Sequence, residues 1–196
     1  MSRLRLVVGL GNPGPRYART RHNAGFRLVE RLAGDDAVWK DFEGLGRWAR
    51  RDALMLAEPM TFMNESGRFV GALARFHKIP PAQTLVCFDD VALPLGRLRL
   101  RPSGSSGGQK GMQDIIERLG TPDIPRLRLG VGPQPPGMDS ADYVLGRFTA
   151  EQEKQFEEVL GGACEAVLLA ADEGLEAAMN RFNKMMPFSV ERTENG

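Results

Sequence analysis

The sequence has few of the residues that build disulfide frameworks and metal sites. It contains only two cysteines and two histidines in 196 residues. Two cysteines cannot form a disulfide framework, and Cys87 lies in an apolar run over residues 85–88, which is typical of a small core residue. We therefore expect no metal centre and a reducing, cytoplasmic compartment.

Long apolar runs are also missing. No run approaches the roughly 18 residues of a membrane span, and no signal-peptide pattern opens the sequence. We therefore expect no membrane partner. The composition, 42% hydrophobic and 26% charged, is typical of a globular protein, and the length suggests one domain with a substantial core.

The charges are distributed unevenly along the chain, although the net charge is only +1. Residues 1–149 hold 22 lysines and arginines against 15 acidic residues, whereas residues 150–196 hold 4 against 10. A basic part favours a polyanionic partner such as nucleic acid. Solvated surface charge explains the same numbers equally well until the positions of the charges are considered.

Apolar periodicity predicts strands that alternate with helices. The predicted strands cover residues 3–8, 46–50, 53–57, 84–88, 97–101 and 126–129. Helical patterns lie around residues 28–33, 69–76, 112–119, 150–167 and 175–183. This order predicts a single α/β domain over residues 1–186, with a twisted mixed β-sheet flanked by α-helices and a flexible tail at 187–196.

Two of these strands alternate strictly between arginine and leucine. In residues 97–101 and 126–129 the period of two predicts that the leucines lie on one face and the arginines on the other. The arginine face is either solvated or available to phosphate groups.

A glycine-rich segment follows the first strand and matches the dinucleotide-binding fingerprint at residues 9–14. That site needs a helix that begins within the glycines and an acidic residue at the end of a second strand. Here Pro13 and Pro15 interrupt the segment, and Glu30, at nearly the right spacing, lies in a helical pattern. A dinucleotide-binding oxidoreductase is therefore a weaker alternative.

His22 is the better candidate of the two histidines for proton transfer near neutral pH. It lies in the loop after the first strand, and such loops carry functional residues on a rigid scaffold. His77 lies where a helical pattern meets Pro80, and a cation at the end of a helix has a structural explanation.

Several motifs together resemble the bacterial peptidyl-tRNA hydrolase family. They occur in the family's order between residues 3 and 184, at residues 9–14, 17, 20–26, 59–67, 89–90, 93–94, 107–111, 141–148 and 180–183. The resemblance implies an α/β domain and an enzyme that cleaves the ester between a peptide and the 3′ ribose of tRNA. It implies that the enzyme uses no metal and no other cofactor. It also implies that the reaction recycles tRNA from peptidyl-tRNA that leaves the ribosome early.

The resemblance also implies catalytic roles for three residues. His22 would be the proton acceptor, Asp89 its orienting partner, and Asn12 the residue that distinguishes blocked peptidyl-tRNA from free aminoacyl-tRNA. Water activated by His22 is also the economical chemistry, because no serine or cysteine is obviously paired with it. Asp89 could instead form a turn, and Asp90 could fill that structural role as well. Asn12 could instead form the turn before Pro13.

The tRNA-binding residues follow from the same resemblance. Asn64 would bind substrate beside the ester, although an asparagine there could instead cap the helix near Ser66. Tyr17 and Phe62 would contact the tRNA end, although aromatic residues near a core more often only pack. Three basic side chains would contact the acceptor stem and 5′ phosphate of the tRNA: Arg99, Arg101 and Arg128. The alternative is that they are solvated residues of exposed strands.

The chain departs from the family at Gln109-Lys110, where members have His-Asn or sometimes His-Lys. We expect Lys110 to contact a phosphate or the ester oxygen. The loop before it lacks the order of a P-loop, so it does not predict nucleotide hydrolysis.

A binding protein on the same fold is the second alternative, because plastid relatives of the family serve RNA splicing. The presence of Asn12, His22, Asn64 and Asp89 favours the enzyme. No obvious association helix is present, so we expect a monomer.

Overall fold

The computed structural model describes residues 3–185, which form one α/β domain around a seven-stranded sheet. The strands are β1 (Leu6–Gly9), β2 (Lys40–Phe42), β3 (Gly46–Arg51), β4 (Leu54–Pro59), β5 (Thr84–Pro94), β6 (Leu98–Arg101) and β7 (Arg126–Gly132). The helices are α1 (Ala24–Ala33), α2 (Ser66–Phe76), α3 (Lys110–Leu119), α4 (Ser140–Leu145), α5 (Ala150–Asp172) and α6 (Leu175–Phe182). The predicted tail at 187–196 lies outside the described residues.

The sheet is mixed, as predicted. Its order is β2-β3-β4-β1-β5-β7-β6. The four central strands β4, β1, β5 and β7 are parallel, and β2, β3 and β6 are added antiparallel at the two edges. The carboxyl ends of the central strands therefore meet at one edge of the sheet, where open α/β sheets hold their binding sites.

Two layers of helices cover the sheet. Alternate residues of β1 face opposite layers, because successive side chains of a strand point to opposite faces. Val7 packs in the cluster that contains residues of α1, α5 and α6, whereas Leu6 and Val8 pack with residues of α2 and α3. No helix among residues 3–185 has the length and hydropathy needed to cross a membrane.

Local signals placed the long helices correctly. Gly34 follows α1, and Gly120 follows α3 in the left-handed conformation. Thr149 and Gln152 form the predicted capping box at the start of α5. Two short elements gave no periodic signal and were missed: β2 has three residues and α4 has six.

Strand β5 runs further than predicted. It continues past residue 88 through Asp89 and Asp90 to Pro94, because its register with β7 resumes after an irregularity. The two carboxylates therefore lie within a strand, and their backbones are fixed by the sheet.

Candidate active site

A cleft of about 760 Å³ opens at the carboxyl ends of the parallel strands. It brings together eight of the ten predicted site residues, which come from six separate parts of the chain. These eight are Asn12, His22, Phe62, Asn64, Asp89, Arg101, Lys110 and Arg128.

His22 and Asp89 are paired at the base of this cleft, although they lie 67 residues apart in the chain. His22 belongs to a single 3-10 turn before α1, and Asp89 belongs to the neighbouring β5. Nδ1 of His22 lies 2.9 Å from both carboxylate oxygens of Asp89. The His22 side chain is 15% exposed and that of Asp89 is 2% exposed.

This pairing defines the proton positions on the imidazole. A carboxylate only accepts hydrogen bonds, so Nδ1 carries the proton, and in the neutral imidazole Nε2 then keeps its lone pair. Nε2 of His22 makes no hydrogen bond to any of the described residues. The ring therefore offers a proton acceptor to whatever occupies the cleft.

The glycines near His22 allow close packing and do not cradle a phosphate. A Cβ on Gly25 would lie 2.3 Å from the carbonyl oxygen of Cys87, and one on Gly11 would lie 2.6 Å from the Phe26 ring. Helix α1 begins only at Ala24, so the dinucleotide interpretation is not supported. Within residues 9–14, the positive φ that favours glycine occurs at Gly14, where φ is 106°.

Asn12 connects the turn that holds His22 to the turn after β4. Its backbone exchanges two hydrogen bonds with the Asn23 side chain, at 2.9 and 3.0 Å. Its Oδ1 accepts a hydrogen bond from the Met63 N–H at 2.9 Å. Asn12 is nearly buried but lines the cleft, and its Nδ2 has no partner within residues 3–185. The residue therefore has both a structural contact and an unused donor.

Phe62 and Asn64 lie on the exposed turn between β4 and α2. The Phe62 ring is 61% exposed, which is unusual for a large apolar side chain. The Asn64 side chain does not cap α2, because α2 has no side-chain cap among the described residues. The structural explanation for Asn64 is therefore not supported.

The basic wall of the cleft differs from the predicted arginine face. Arg126, on the same face as the other arginines, is 2% exposed and is fully buried instead of solvated. Its guanidinium donates to four backbone carbonyls, those of Gly104, Ser105, Pro122 and Ile124. Period-two alternation could not reveal this, because two of the carbonyls belong to the loop at residues 104–105, and the other two belong to the irregular turn just before β7.

The other arginines differ in their availability to a ligand. Arg128 forms an ion pair with Asp90, whose other oxygen accepts from the Ala92 N–H in a turn-like contact. Arg101 is exposed, lines the cleft and forms no ion pair with the described residues. Arg99 lies opposite Arg128 in the β6–β7 pair and does not line the cleft.

Tyr17 is also outside the cleft. Its ring is half-buried and lies 4.5 Å below the guanidinium of Arg16. A role for Tyr17 at the tRNA end stays a prediction.

Sequence reasoning missed one wall of the cleft. Helix α4 contributes Ser140, Ala141, Val144 and Leu145. Arg21 ties this helix to the His22 turn, because its guanidinium donates to the Tyr143 carbonyl at 3.2 Å. The only signal in the sequence was the resemblance over residues 141–148.

Cys87 precedes the two aspartates in β5 but is fully buried in the core. Burial raises the pKa of the Cys87 thiol far above its ordinary value, so the thiol is not a candidate nucleophile. Among the residues that the structure describes, no three histidine, cysteine or acidic side chains are grouped as metal ligands.

Known proteins of one family resemble the chain over most of its length. The family model described as peptidyl-tRNA hydrolase matches residues 6–190. A peptidyl-tRNA hydrolase of Elusimicrobium minutum is 52% identical over 186 residues, covering 92% of this chain and 100% of that protein. One of Chloroflexus aggregans is 51% identical over 190 residues, covering 92% and 99%.

Solved structures give the same result. The crystal structure of peptidyl-tRNA hydrolase from Acinetobacter baumannii superposes with a TM-score of 0.87 and 34% identity, covering 95% of this chain and 98% of that one. A peptidyl-tRNA hydrolase crystallised with N-propanol gives a TM-score of 0.86 and 34% identity, covering 94% and 96%. The chain therefore belongs to the peptidyl-tRNA hydrolase family.

Proposed function

We propose that this enzyme hydrolyses the ester between the peptide and the 3′ ribose of peptidyl-tRNA, releasing the peptide and free tRNA. The observation that carries the proposal is the His22–Asp89 pair in the cleft, with both carboxylate oxygens 2.9 Å from Nδ1. Membership of the family supports the choice of substrate. In a cell the reaction would recycle tRNA from peptidyl-tRNA that leaves the ribosome early.

The proposed chemistry uses His22 as a general base. Its Nε2 takes a proton from a water molecule whose oxygen attacks the ester carbonyl carbon. The bond to the ribose oxygen then breaks, and the proton passes from the imidazolium to that oxygen. Asp89 stabilises the imidazolium between the two steps through Nδ1. Such catalysis contributes about 10²–10⁴-fold to the rate.

Asn12 and Asn64 would hold the peptide end of the substrate. The unused Nδ2 donor of Asn12 lies at the cleft and suits a peptide carbonyl oxygen. A neutral amide in this position can prefer a blocked peptide end over a free, charged amine, which would explain selection against aminoacyl-tRNA. Asn64 lines the same cleft and would bind beside the ester.

The tRNA would approach along the basic side of the cleft. Arg101 and Lys110 are exposed there and form no ion pairs within residues 3–185, so both are available to phosphate groups. Phosphate contacts position a nucleic acid without reading its sequence, which suits an enzyme that acts on many tRNAs. Phe62 offers an exposed ring for a terminal base, and Arg99, Arg128 and Tyr17 would extend the contact.

Release of peptide from an N-acetylated aminoacyl-tRNA tests the proposal. The wild type should release the peptide, His22→Ala should lose about 10²–10⁴-fold in kcat, and His77→Ala should keep its activity. His77 is a matched control because it packs against Trp48, 5.3 Å between ring centroids, and does not line the cleft. An intact ester with the wild type would contradict the function, and full activity of His22→Ala would contradict the assigned base.

We propose further that the reaction needs no metal ion, because each proton transfer is assigned to His22. Activity that survives exhaustive treatment with EDTA supports this, and loss that is restored by a divalent cation contradicts it.

We also propose that the enzyme acts as a monomer in the cytoplasm. The cleft is completed by residues of one chain, and both cysteines are free, which suits a reducing compartment. A dimer mass in light scattering at assay concentration would contradict the monomer.

A further inference from the structure

We propose that Gln109 is a positioning residue for Asp89, and that it orients the carboxylate that holds His22. The inference rests on the proposed function, because Asp89 acts there through His22. It concerns the position at which the sequence departs from the family motif that it otherwise resembles.

The amide of Gln109 makes contacts with three different groups. Its Oε1 accepts a hydrogen bond from the Met112 N–H at 2.8 Å and so caps α3. Its Nε2 lies 3.1 Å from Sδ of Met63 and 3.5 Å from Oδ1 of Asp89. Both hydrogens of the amide are therefore directed to acceptors, and one of them reaches the catalytic pair.

Only one orientation of this amide satisfies its neighbours. If the amide were reversed, its oxygen would face the Asp89 carboxylate and its NH₂ group would face the Met112 N–H, placing like groups together. The helix cap thus fixes the direction in which Nε2 points. A glutamine at this position is a cap for α3 and a donor to Asp89 at the same time.

The surroundings of Gln109 are tightly packed. The residue is 8% exposed. A Cβ on the neighbouring Gly111 would lie 2.6 Å from Met63 Sδ and 3.1 Å from Gln109 Oε1, so the start of α3 is packed tightly. Farther along α3, Asp114 accepts from the Gly67 N–H at 2.7 Å and anchors the helix to α2.

Asp89 has few other sources of support. Its hydrogen-bond donors among the described residues are the His22 ring and Gln109. The other charged groups that line the cleft are Asp90 on β5, Arg101 on β6, Lys110 on α3, and Arg126 and Arg128 on β7. Arg128 is paired with Asp90, and Arg126 is bound by backbone carbonyls. Gln109 is thus the neutral donor that reaches the Asp89 carboxylate beside His22, at Oδ1.

Gln109→Glu separates the two roles of this residue. A glutamate keeps an oxygen for the Met112 N–H, so the helix cap survives, but it replaces the donor to Asp89 with a negative charge. That charge favours the imidazolium form of His22, so the acid limb of the pH profile of kcat/KM should move up by roughly one pH unit. The shift verifies that residue 109 faces the His22–Asp89 pair, whereas the donor role itself is measured by Gln109→Met.

Gln113→Glu is the matched control for charge. Gln113 lies one turn further along α3, exposed, where its amide donates to Glu117 at 2.7 Å. It makes the same change in charge on the same helix without contacting Asp89, and its pH profile should superimpose on that of the wild type.

Gln109→Met removes both the donor and the α3 cap without adding charge, so its effect is compared with that of Gln109→Glu, which keeps the cap. We expect kcat to fall about three- to tenfold with KM unchanged, because a long hydrogen bond to a carboxylate is lost while the substrate contacts remain. Circular dichroism and the melting temperature verify that the variant is folded. The proposal is overturned if the pH profile of kcat/KM for Gln109→Glu matches that of the wild type. It is also overturned if Gln109→Met changes only KM.

A readout independent of turnover distinguishes failure of this proposal from failure of the proposed function. The ring protons of the two histidines can be followed by NMR, with His77 as the internal reference. In Gln109→Glu the titration midpoint of His22 should rise while that of His77 stays fixed, even if peptidyl-tRNA is not cleaved. An unchanged His22 midpoint overturns the positioning role.

Discussion

Asp89 contacts the ring of His22 through Nδ1, and Asp89→Asn tests what that contact contributes. An asparagine can donate to Nδ1 and so favours the tautomer that protonates Nε2, which then cannot accept a proton from water. We expect kcat to fall by about 10²–10⁴-fold with little change in KM. Steady-state kinetics on N-acetylated aminoacyl-tRNA measures both constants.

Asp90→Asn is the control for this prediction, because Asp90 binds Arg128 and the Ala92 N–H but does not contact His22. It should lose much less kcat than Asp89→Asn. An Asp89→Asn enzyme within about threefold of the wild type would show that the pair does not orient the base.

Arg101 is the exposed guanidinium of the cleft, and Arg101→Gln tests whether it contacts phosphate. The variant should bind tRNA more weakly, and the slope of log K against log salt should fall by about one. Filter binding measures the slope between about 50 and 200 mM salt, because the effect of phosphate contacts on affinity is large in this range.

Arg75→Gln removes the same charge from the last turn of α2, outside the cleft. Its salt slope should match that of the wild type. Equal slopes for Arg101→Gln and Arg75→Gln would assign Arg101 to the solvated surface.

Elements approach closely where α1 meets β1 and β5. A Cβ on Gly25 would lie 2.3 Å from the Cys87 carbonyl oxygen and 2.4 Å from the Leu10 backbone nitrogen. Gly25→Ala should therefore lower the free energy of unfolding by about 1–3 kcal/mol or more, because backbone atoms must shift. Urea denaturation measures the change.

Gly71→Ala is the contrasting substitution, because in α2 the nearest atom to its Cβ would be Cβ of Arg118 at 3.9 Å. There the alanine fits without strain and should stabilise the protein by about 0.5–1 kcal/mol through helix propensity. Destabilisation by Gly71→Ala, or none by Gly25→Ala, would contradict the packing described.

The predictability of the elements depended on their length. Helices α1, α3 and α5 span at least ten residues each and were predicted from apolar periodicity and caps. The three residues of β2 and the six of α4 carry less than two periods of a pattern. Their structure depends on the elements they pack against, which a local pattern does not describe.

The whole molecule pairs its uneven charges across the fold. Acids of α5 lie against arginines of α1: Glu153 is 2.6 Å from Arg27, and Glu157 is 2.8 Å from Arg31. The acidic C-terminal part therefore neutralises one basic face of the N-terminal part. The basic side of the cleft does not take part in this pairing, so the positive charge that remains unpaired there is available to a polyanion.

Glu58 gives the whole fold a dependence on pH. It is fully buried in β4, and Arg47 is 2.6 Å from one carboxylate oxygen while the other has no partner within residues 3–185. Burial raises the pKa of Glu58 to about 7, with Arg47 opposing and Glu30 adding to the effect. The folded state therefore binds this proton more tightly than the unfolded state does.

The stability that this proton contributes is present below the ordinary pKa of 4.5 and is lost as pH rises through about 7. As the pH rises from 5 to 8, the free energy of unfolding of Glu58→Gln should increase relative to that of the wild type, by on the order of 3 kcal/mol. Urea denaturation at both pH values measures the gain. Glu65 is an exposed acid in the turn before α2, and Glu65→Gln should show no such gain in stability. An effect of Glu58→Gln that does not change with pH would contradict the raised pKa of Glu58.

The sequence by itself determined the class of the fold, the long helices and their caps, and the identity of the candidate residues. The capping box of Thr149 and Gln152 illustrates why, since its contacts lie within three residues. Only the tertiary structure decided which candidates meet. His22 contacts Asp89 across 67 residues because β1 and β5 are neighbours in the sheet.

The same reason explains Arg126 and Gln109. Arg126 belongs to an alternating strand that predicts an exposed side chain, yet it is buried, and two of the carbonyls that it binds belong to Gly104 and Ser105, 22 and 21 residues away. Gln109 was a departure from a family motif, and only the tertiary placement of the start of α3 brought its amide to Asp89 on β5. Periodicity reports the interactions of near neighbours along the chain, whereas burial and catalytic geometry depend on the order of strands.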